Sequence, residues 1–349
     1  MKIDIFNHIL PRSYLEKVSS SLGGGKDMLM RVRSVSALYD LDERFRIMDM
    51  FEGYVQVVCL AAPPIEVFGP PSVSRELARV ANDGMAELVR KHPDRFLGFF
   101  ASLPMNDPDG LLQEARRAVQ ELGAVGVQVF SNVLGKSLTR PETMPLFDVM
   151  AELDRAILIH PERGADFPDQ KGEPKSHYEI WWAFGWPYET SVAMAHLVFS
   201  GVFDRHPDLK IITHHMGGMI PYFEGRVGPG FDILGRRTSD EDYTSLLRSL
   251  KKRPIDYFRM FYADTALFGA RGATECGLKF FGADRALFGT DMPFDQNTGT
   301  SYVTSTIAVI DSLDITEQQR KAIYEENAQR ILRIGQERAQ KPGRDSNET

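Results

Sequence analysis

Short, apolar, β-rich runs recur along the chain, with longer amphipathic stretches between them. Eight stand out: Lys2–Asn7, Val55–Ala61, Phe96–Leu103, Val125–Phe130, Ala156–His160, Leu209–His214, Phe258–Asp264 and Ala286–Asp291. They are apolar almost throughout rather than alternating, the pattern of strands covered on both faces in a parallel sheet. Leu77–Lys91, Gly110–Leu122 and Pro141–Leu153 place apolar residues at helical spacing, with Thr139 and Pro141 offering capping chemistry to the last of these. A final helix is expected over Thr316–Leu332, after Asp314 and before Gly335, with its charged stripe toward solvent. Eight strands alternating with helices predict an α/β fold, a (β/α)8 TIM-like barrel. No GxGxxG follows the first run, and GGGK at Gly23–Lys26 lacks P-loop spacing, so it reads as a flexible loop. Long insertions, Leu10–Leu41 after strand 1 and Pro161–Trp186 after strand 5, leave the strand ends where barrel enzymes build their pockets. Residues 1–335 read as one domain, and the polar residues 336–349 as a disordered tail.

Composition narrows the class. A chain of 349 residues, 43% of them hydrophobic, can bury a large core, which excludes a fully disordered protein. Its net charge of −7 argues against broad affinity for nucleic acid or an anionic membrane. No apolar run approaches the ~20 residues of a membrane span. The N-terminal MKIDIFNHILP lacks the layout of a secretory signal, so the expected location is cytoplasmic. Cys59 and Cys276 lie in apolar surroundings and are expected to be buried free thiols rather than a disulfide framework.

Sparse polar residues fall at the predicted strand ends. His8 follows strand 1, His160 ends strand 5, His214 and His215 end strand 6, Asp264 ends strand 7 and Asp291 ends strand 8. A closed barrel brings these ends to one mouth, where imidazole and carboxylate together suit one divalent ion, Zn or Mn. His92 and His206, in KHPDRF and RHPDLK, belong to helix-to-strand linkers at the other end and read as capping or hydrogen-bonding residues. His196 is expected to pack within a helix. His177, in the insertion after strand 5, has two readings open to it, a substrate contact and a surface position.

These segments carry a resemblance. IDIFNHILP, ILIHP, GWPYETSVAMAHLVFSGVFDRHPDLKIITHHMGGMIPYFEGR, YADTA and LFGTDMPF resemble the amidohydrolase superfamily over nearly the whole chain. The nearest branch is that of aminocarboxymuconate-semialdehyde decarboxylase and the non-oxidative aromatic-acid decarboxylases. The resemblance implies a barrel with one divalent metal, zinc or manganese, and a homodimer. It places metal ligands at His8, His160 and Asp291, the catalytic histidine at His215, and an arginine that reaches substrate across the dimer at Arg226. Two positions depart from the pattern. The branch carries His-X-His or Glu-X-His on strand 1, where this chain reads Phe6-Asn7-His8, and some members carry a glutamate where this chain has Gly218. A benzyl side chain cannot donate to a metal. Asn7, His214 and Asp264 are the neighbours able to compensate, and a metal-free acid/base pair of His215 and Asp291 is the alternative.

The expected reaction is metal-dependent, non-oxidative decarboxylation of a planar aromatic or unsaturated carboxylic acid, with His215 or Asp291 protonating the carbon that loses CO₂. Arg226, with Arg31 or Arg33, is positioned in sequence to clamp the anionic substrate. Trp181, Trp182 and Trp186 cluster in the second insertion, and Tyr188 and Phe294 flank the motifs, so these aromatics are expected to wall a flat pocket. A metal-dependent hydrolase or hydratase acting on an amide, lactone or cyclic substrate uses the same residues. A non-catalytic barrel that has lost its metal is the third reading.

Overall fold

The computed structural model describes residues 1–19 and 26–335, so Gly23–Gly25 of the glycine run and the tail over 336–349 lie outside the described residues. Among the described residues, eight parallel strands pair in chain order: β1 (Lys2–Asp4), β2 (Tyr54–Leu60), β3 (Phe96–Ser102), β4 (Gly126–Phe130), β5 (Ala156–His160), β6 (Ile211–Thr213), β7 (Tyr262–Asp264) and β8 (Ala286–Leu287). A short extension, His8–Ile9, pairs with Cys59 and Leu60 of β2. The last strand returns to the first. Ile5 N donates to Phe288 O at 2.9 Å, His8 N to Met292 O at 2.8 Å, and Asn7 bridges Met292 in parallel. The result is the (β/α)8 barrel that the alternation predicts.

Why the runs are apolar throughout is visible in the packing. Val57, Phe100, Leu158 and Ile212 share one buried cluster with Ile3 and Ile5, while their strand neighbours Val58, Phe99, Ile157 and Ile211 belong to a second cluster with the helices. Successive strand side chains point to opposite faces, and here both faces are core. Each fully buried aliphatic side chain stabilises by roughly 1.5–3 kcal/mol. The first cluster includes Ala328, Ile331 and Leu332 of the final helical segment, and Asn327 Nδ2 donates to Ala286 O at 2.8 Å, which seals the N-terminal end of the barrel.

Several element boundaries differ from the periodicity. The helix expected from Leu77 starts at Pro71 and runs to Lys91, because proline is preorganised for the first helical position. The next spans Pro108–Gln120, capped by Asp107, whose carboxylate accepts from Gly110 N at 3.2 Å. The helix expected at Pro141 spans only Pro145–Glu152. A proline inside a helix lacks a donor and clashes with the preceding turn, so Pro145 sets the start and Thr143 Oγ1 ties off the turn before it on Leu138 O at 2.6 Å. Phe258 lies in a helix, Pro254–Phe258, rather than in strand 7. The final helix is interrupted by a π-turn over Ala322–Glu326, where Ile323 O accepts Phe288 N at 2.9 Å and so caps β8. Cys59 is buried and Cys276 half-buried, both free, and His196 lies in the helix Trp186–Phe199 with its side chain exposed rather than packed.

Candidate active site

At the C-terminal ends of the strands the seam of the barrel sets the site. Asp4 is fully buried. Its Oδ1 accepts Phe6 N at 3.0 Å and Thr290 N at 3.2 Å, and its Oδ2 accepts Thr290 Oγ1 at 2.6 Å and the Tyr54 hydroxyl. Burial pushes this carboxyl up to about 6 against the pull of those hydrogen bonds. Arg44, also fully buried, donates to His8 O at 2.7 Å, Asn7 Oδ1 at 2.6 Å and Gln56 Oε1 at 2.9 Å. Together they clamp β1 to β8 and so place His8 beside Asp291. Gly289 makes the clamp close-fitting, since a Cβ there would stand 2.9 Å from Phe6 Cβ and 3.0 Å from Asp264 Cβ. Nothing in the sequence pattern marks Asp4 or Arg44, because isolated charges on a strand and a helix look like surface residues until the fold buries them.

The mouth gathers His8, His160, His214, His215, Asp264 and Asp291, all buried. His8 Nε2 stands 3.0 Å from Asp291 Oδ1, and His215 Nε2 3.7 Å from Asp291 Oδ2. His160 Nδ1 lies 2.6 Å from Pro161 O and donates to it, which turns Nε2 inward as the lone-pair nitrogen. His214 Nδ1 pairs with Asp264 Oδ2, while Asp264 Oδ1 accepts His215 N at 3.1 Å and Ala266 N at 3.0 Å. His215 (φ 47°), Met216 (φ 51°) and Asp291 (φ 66°) hold left-handed backbone, a strain that clusters at functional sites.

Burial and mutual repulsion keep His160 and His214 neutral. Burial, with His8 nearby, takes His160 down to about 3, and burial drives His214 far down and the Asp264 carboxyl far up. His8 and Asp291 go the other way. Burial opposes charge on both, yet the Cys59 sulfur and Asp291 bring His8 up to about 10, and the imidazoles of His215 and His8 hold Asp291 near 2. Without a metal the pair is an ion pair, and a cation bound there displaces the His8 proton.

The unused valences test the fit to a cation. His8 Nε2, His214 Nε2 and both ring nitrogens of His215 are buried without a hydrogen-bond partner, the contact of His8 with Asp291 being out of line for one. One donor atom each from His8, His160 and His214 lie within 4.8 Å of one another, as do those of His214, His215 and Asp291. Imidazole nitrogens with one carboxylate suit zinc or manganese. The residues fit a single divalent ion.

Above the site opens a cavity of about 1040 Å³. His8, His160 and Asp291 form its floor, and Arg31, His177, Trp181, Trp182, Trp186 and Phe294 contribute to its wall. Ring centroids of Trp186 and His160 are 5.4 Å apart, and those of Phe294 and His8 also 5.4 Å. Arg31 donates to Phe294 O and lies 5.8 Å from the centre of its ring. Both insertions thus reach the pocket. Arg33, Tyr188 and Arg226 do not line it; all three are exposed, because each sits on the outward side of its segment. Lys175 and Tyr302 line the cavity and were not singled out from the sequence. Lys175 had a usable signal, two residues before His177 in the pocket-side insertion. Tyr302 had none.

The amidohydrolase family profile matches residues 33–334. The chain is 31% identical over 312 residues to the 2-amino-3-carboxymuconate-6-semialdehyde decarboxylase of Dictyostelium discoideum, covering 84% of this chain and 82% of that one. It is 33% identical over 315 residues to the gamma-resorcylate decarboxylase of a Polaromonas species, covering 86% and 89%. Among solved structures it superposes on a dihydroxybenzoic acid decarboxylase from Polaromonas with bound manganese and the inhibitor 2-nitroresorcinol, with TM-score 0.76 and 28% identity over 95% of this chain and 97% of that one.

Proposed function

Because the chain belongs to the amidohydrolase family, in the branch of the aromatic-acid decarboxylases, we infer that it is a metal-dependent, non-oxidative decarboxylase of a planar aromatic carboxylic acid. The observation that carries this reading is the juxtaposition of unpartnered buried histidine nitrogens and Asp291 with an aromatic-walled cavity wide enough for a substituted ring. His8, His160 and Asp291 would hold the divalent ion. When bound, the ion supplies Lewis acidity to substrate oxygens beside the scissile bond.

The remaining work falls to the chain's own side chains. Trp186 and Phe294 hold the ring plane over the floor and exclude water. Arg31 meets an anionic substituent at the rim with charge-assisted hydrogen bonds. Asp291, held near 2, stays a carboxylate at neutral pH and is an acceptor rather than the acid. His215, buried 3.7 Å from Asp291 with both ring nitrogens unpartnered, is the proton donor in this reading. It delivers a proton to the ring carbon that bears the carboxylate, that carbon becomes tetrahedral, and the carbon–carbon electron pair returns to the ring as CO₂ leaves.

The same reading makes the protein a homodimer in the cytoplasm, with Arg226 reaching the partner's pocket. Support comes from the exposed ring of Tyr222 (80% exposed), two residues before the helix Glu224–Asp232 that carries Arg226, which a second subunit would cover. No helix among the described residues is long and apolar enough to cross a membrane. The deciding assay incubates the enzyme with hydroxylated benzoates and unsaturated dicarboxylates, following CO₂ and deuterium uptake from solvent at the vacated carbon. Release of CO₂ with one deuterium incorporated is expected. Ring opening of amides or lactones without CO₂ would make the enzyme a hydrolase instead. For Arg226, mixing inactive His215→Ala and Arg226→Ala subunits should restore activity; subunit exchange without recovery removes Arg226 from the composite site.

A further inference from the structure

Resting on the metal-dependent reading above, we propose that His214, at the end of β6, is the fourth protein ligand of the cation, replacing the ligand that the branch takes from strand 1. At that strand-1 position this chain carries Phe6, fully buried, with its backbone oxygen accepting Asp291 N at 2.8 Å. Its ring lies 4.7 Å from that of His8 and packs directly against His214. The aromatic ring therefore fills the strand-1 corner of the site, and the imidazole on β6 lies against it.

The other neighbours are already committed. Asn7 accepts from Arg44 through Oδ1 and donates through Nδ2 to Asp4 O at 2.9 Å and Val57 O at 3.1 Å, so its amide has no free lone pair aimed at the floor. Asp264 accepts two backbone N–H groups on Oδ1 and faces His214 with Oδ2. Cys59 Sγ donates to Asn7 O at 2.9 Å. His214 alone combines complete burial, a ring oriented by a carboxylate through Nδ1, and an Nε2 with no partner. It is also the residue common to both donor sets, one with His8 and His160 and the other with His215 and Asp291. Donors about 2.1 Å from one tetrahedral ion lie about 3.4 Å apart, so sets that already lie within 4.8 Å need contract by at most about 1.4 Å.

With a cation on Nε2, the Asp264–His214 pair would take the form of a carboxylate-oriented metal histidine, in which the carboxylate fixes the tautomer and raises the basicity of the ligating nitrogen. His215 lacks such an orienting partner, with both ring nitrogens unpartnered, and it stays free to move a proton. An idle filler histidine would carry an unpaired buried nitrogen at a cost in stability, whereas ligation uses it.

The test takes full-length enzyme, strips it with chelator and reloads it with zinc or manganese. X-ray absorption of the zinc-loaded wild type counts imidazole ligands: three are expected, and two would overturn the assignment even if every variant failed to fold. By calorimetry His214→Ala should lower metal affinity at least ~10-fold, and Asp264→Asn by ~10–100-fold. Phe6→His combined with His214→Ala should recover most of the loss by returning the ligand to strand 1. Wild-type affinity in a folded His214→Ala overturns the proposal while leaving the metal-dependent reading intact. A wild type that takes up no ion overturns both.

Discussion

His160 and His206 sit at opposite ends of the same barrel, each beside a cleft. The floor cleft, about 470 Å³, runs past Arg205, His206 and Lys210. There His206 Nε2 is 2.6 Å from Asp148 Oδ1, Lys210 Nζ donates to Asp154 Oδ1 at 2.6 Å, and Arg205 donates to Ser200 O at 3.2 Å. At the mouth, His8, His214 and His215 keep buried nitrogens without partners. The contrast teaches that residue type does not mark a site. A converging cluster of imidazole nitrogens that the fold has desolvated and left unsatisfied does, because leaving each so costs ~1–3 kcal/mol unless a ligand completes it. His92 repeats the floor pattern, its backbone N–H capping the helix Pro71–Lys91 on Leu88 O while its ring packs 4.9 Å from that of Phe45.

The contrast can be broken most severely at the mouth. His8→Ala and Asp291→Ala should each lose the bound ion, measured by elemental analysis, and reduce turnover to background. A variant that keeps one ion per chain and full activity would remove that residue from the ligand set. His215→Asn should leave metal content near wild type while kcat falls by ~10²–10⁴-fold, the usual contribution of a general acid; a fall in metal content instead would make His215 a ligand. Arg31→Ala should lower kcat/KM by ~10–100-fold, the worth of one charge-assisted hydrogen bond, with the loss in KM if Arg31 only holds the substrate.

The smaller effects lie in stability. Glu66, in the turn after β2, is buried with Oε1 unpartnered, and burial pushes it up to about 7. The folded chain then keeps a proton that the unfolded chain releases, so stability falls as pH rises from the unfolded value of 4.5 toward about 7. Glu66→Gln should raise Tm at pH 8 by a few degrees, and the gain should vanish near pH 5. A pH-independent difference would mean that the substitution acts through packing. At the floor, His206→Gln should cost under ~1 kcal/mol, since partly exposed pairs contribute little, and should leave kcat and metal content untouched. An activity loss there would erase the distinction between the two ends.

What sequence alone determined was the order of the barrel and which residues stand at strand ends. A run covered on both faces is apolar throughout, and His8, His160, His214, His215, Asp264 and Asp291 each end or follow such a run. The departure at Phe6 was equally legible, because a motif position is a local property. Helix starts were less so. Pro71, Pro108 and Pro145 overrode the apolar stripe, since proline restricts where a helix begins more strongly than periodicity does. Only the tertiary structure decided which polar groups are spent and which are free. Asn7, Asp264 and His214 looked equivalent as replacements for the missing ligand, and the fold separated them by giving Asn7 to a fully buried Arg44 and Asp264 to two backbone amides and His214 Nδ1, leaving His214 Nε2. It likewise turned Arg31 toward the cavity and Arg33 away, and buried Trp186 beside His160 while leaving Tyr188 52% exposed. Those outcomes depend on contacts between residues tens to hundreds of positions apart, and hydrogen-bond valence is settled only when the partners meet.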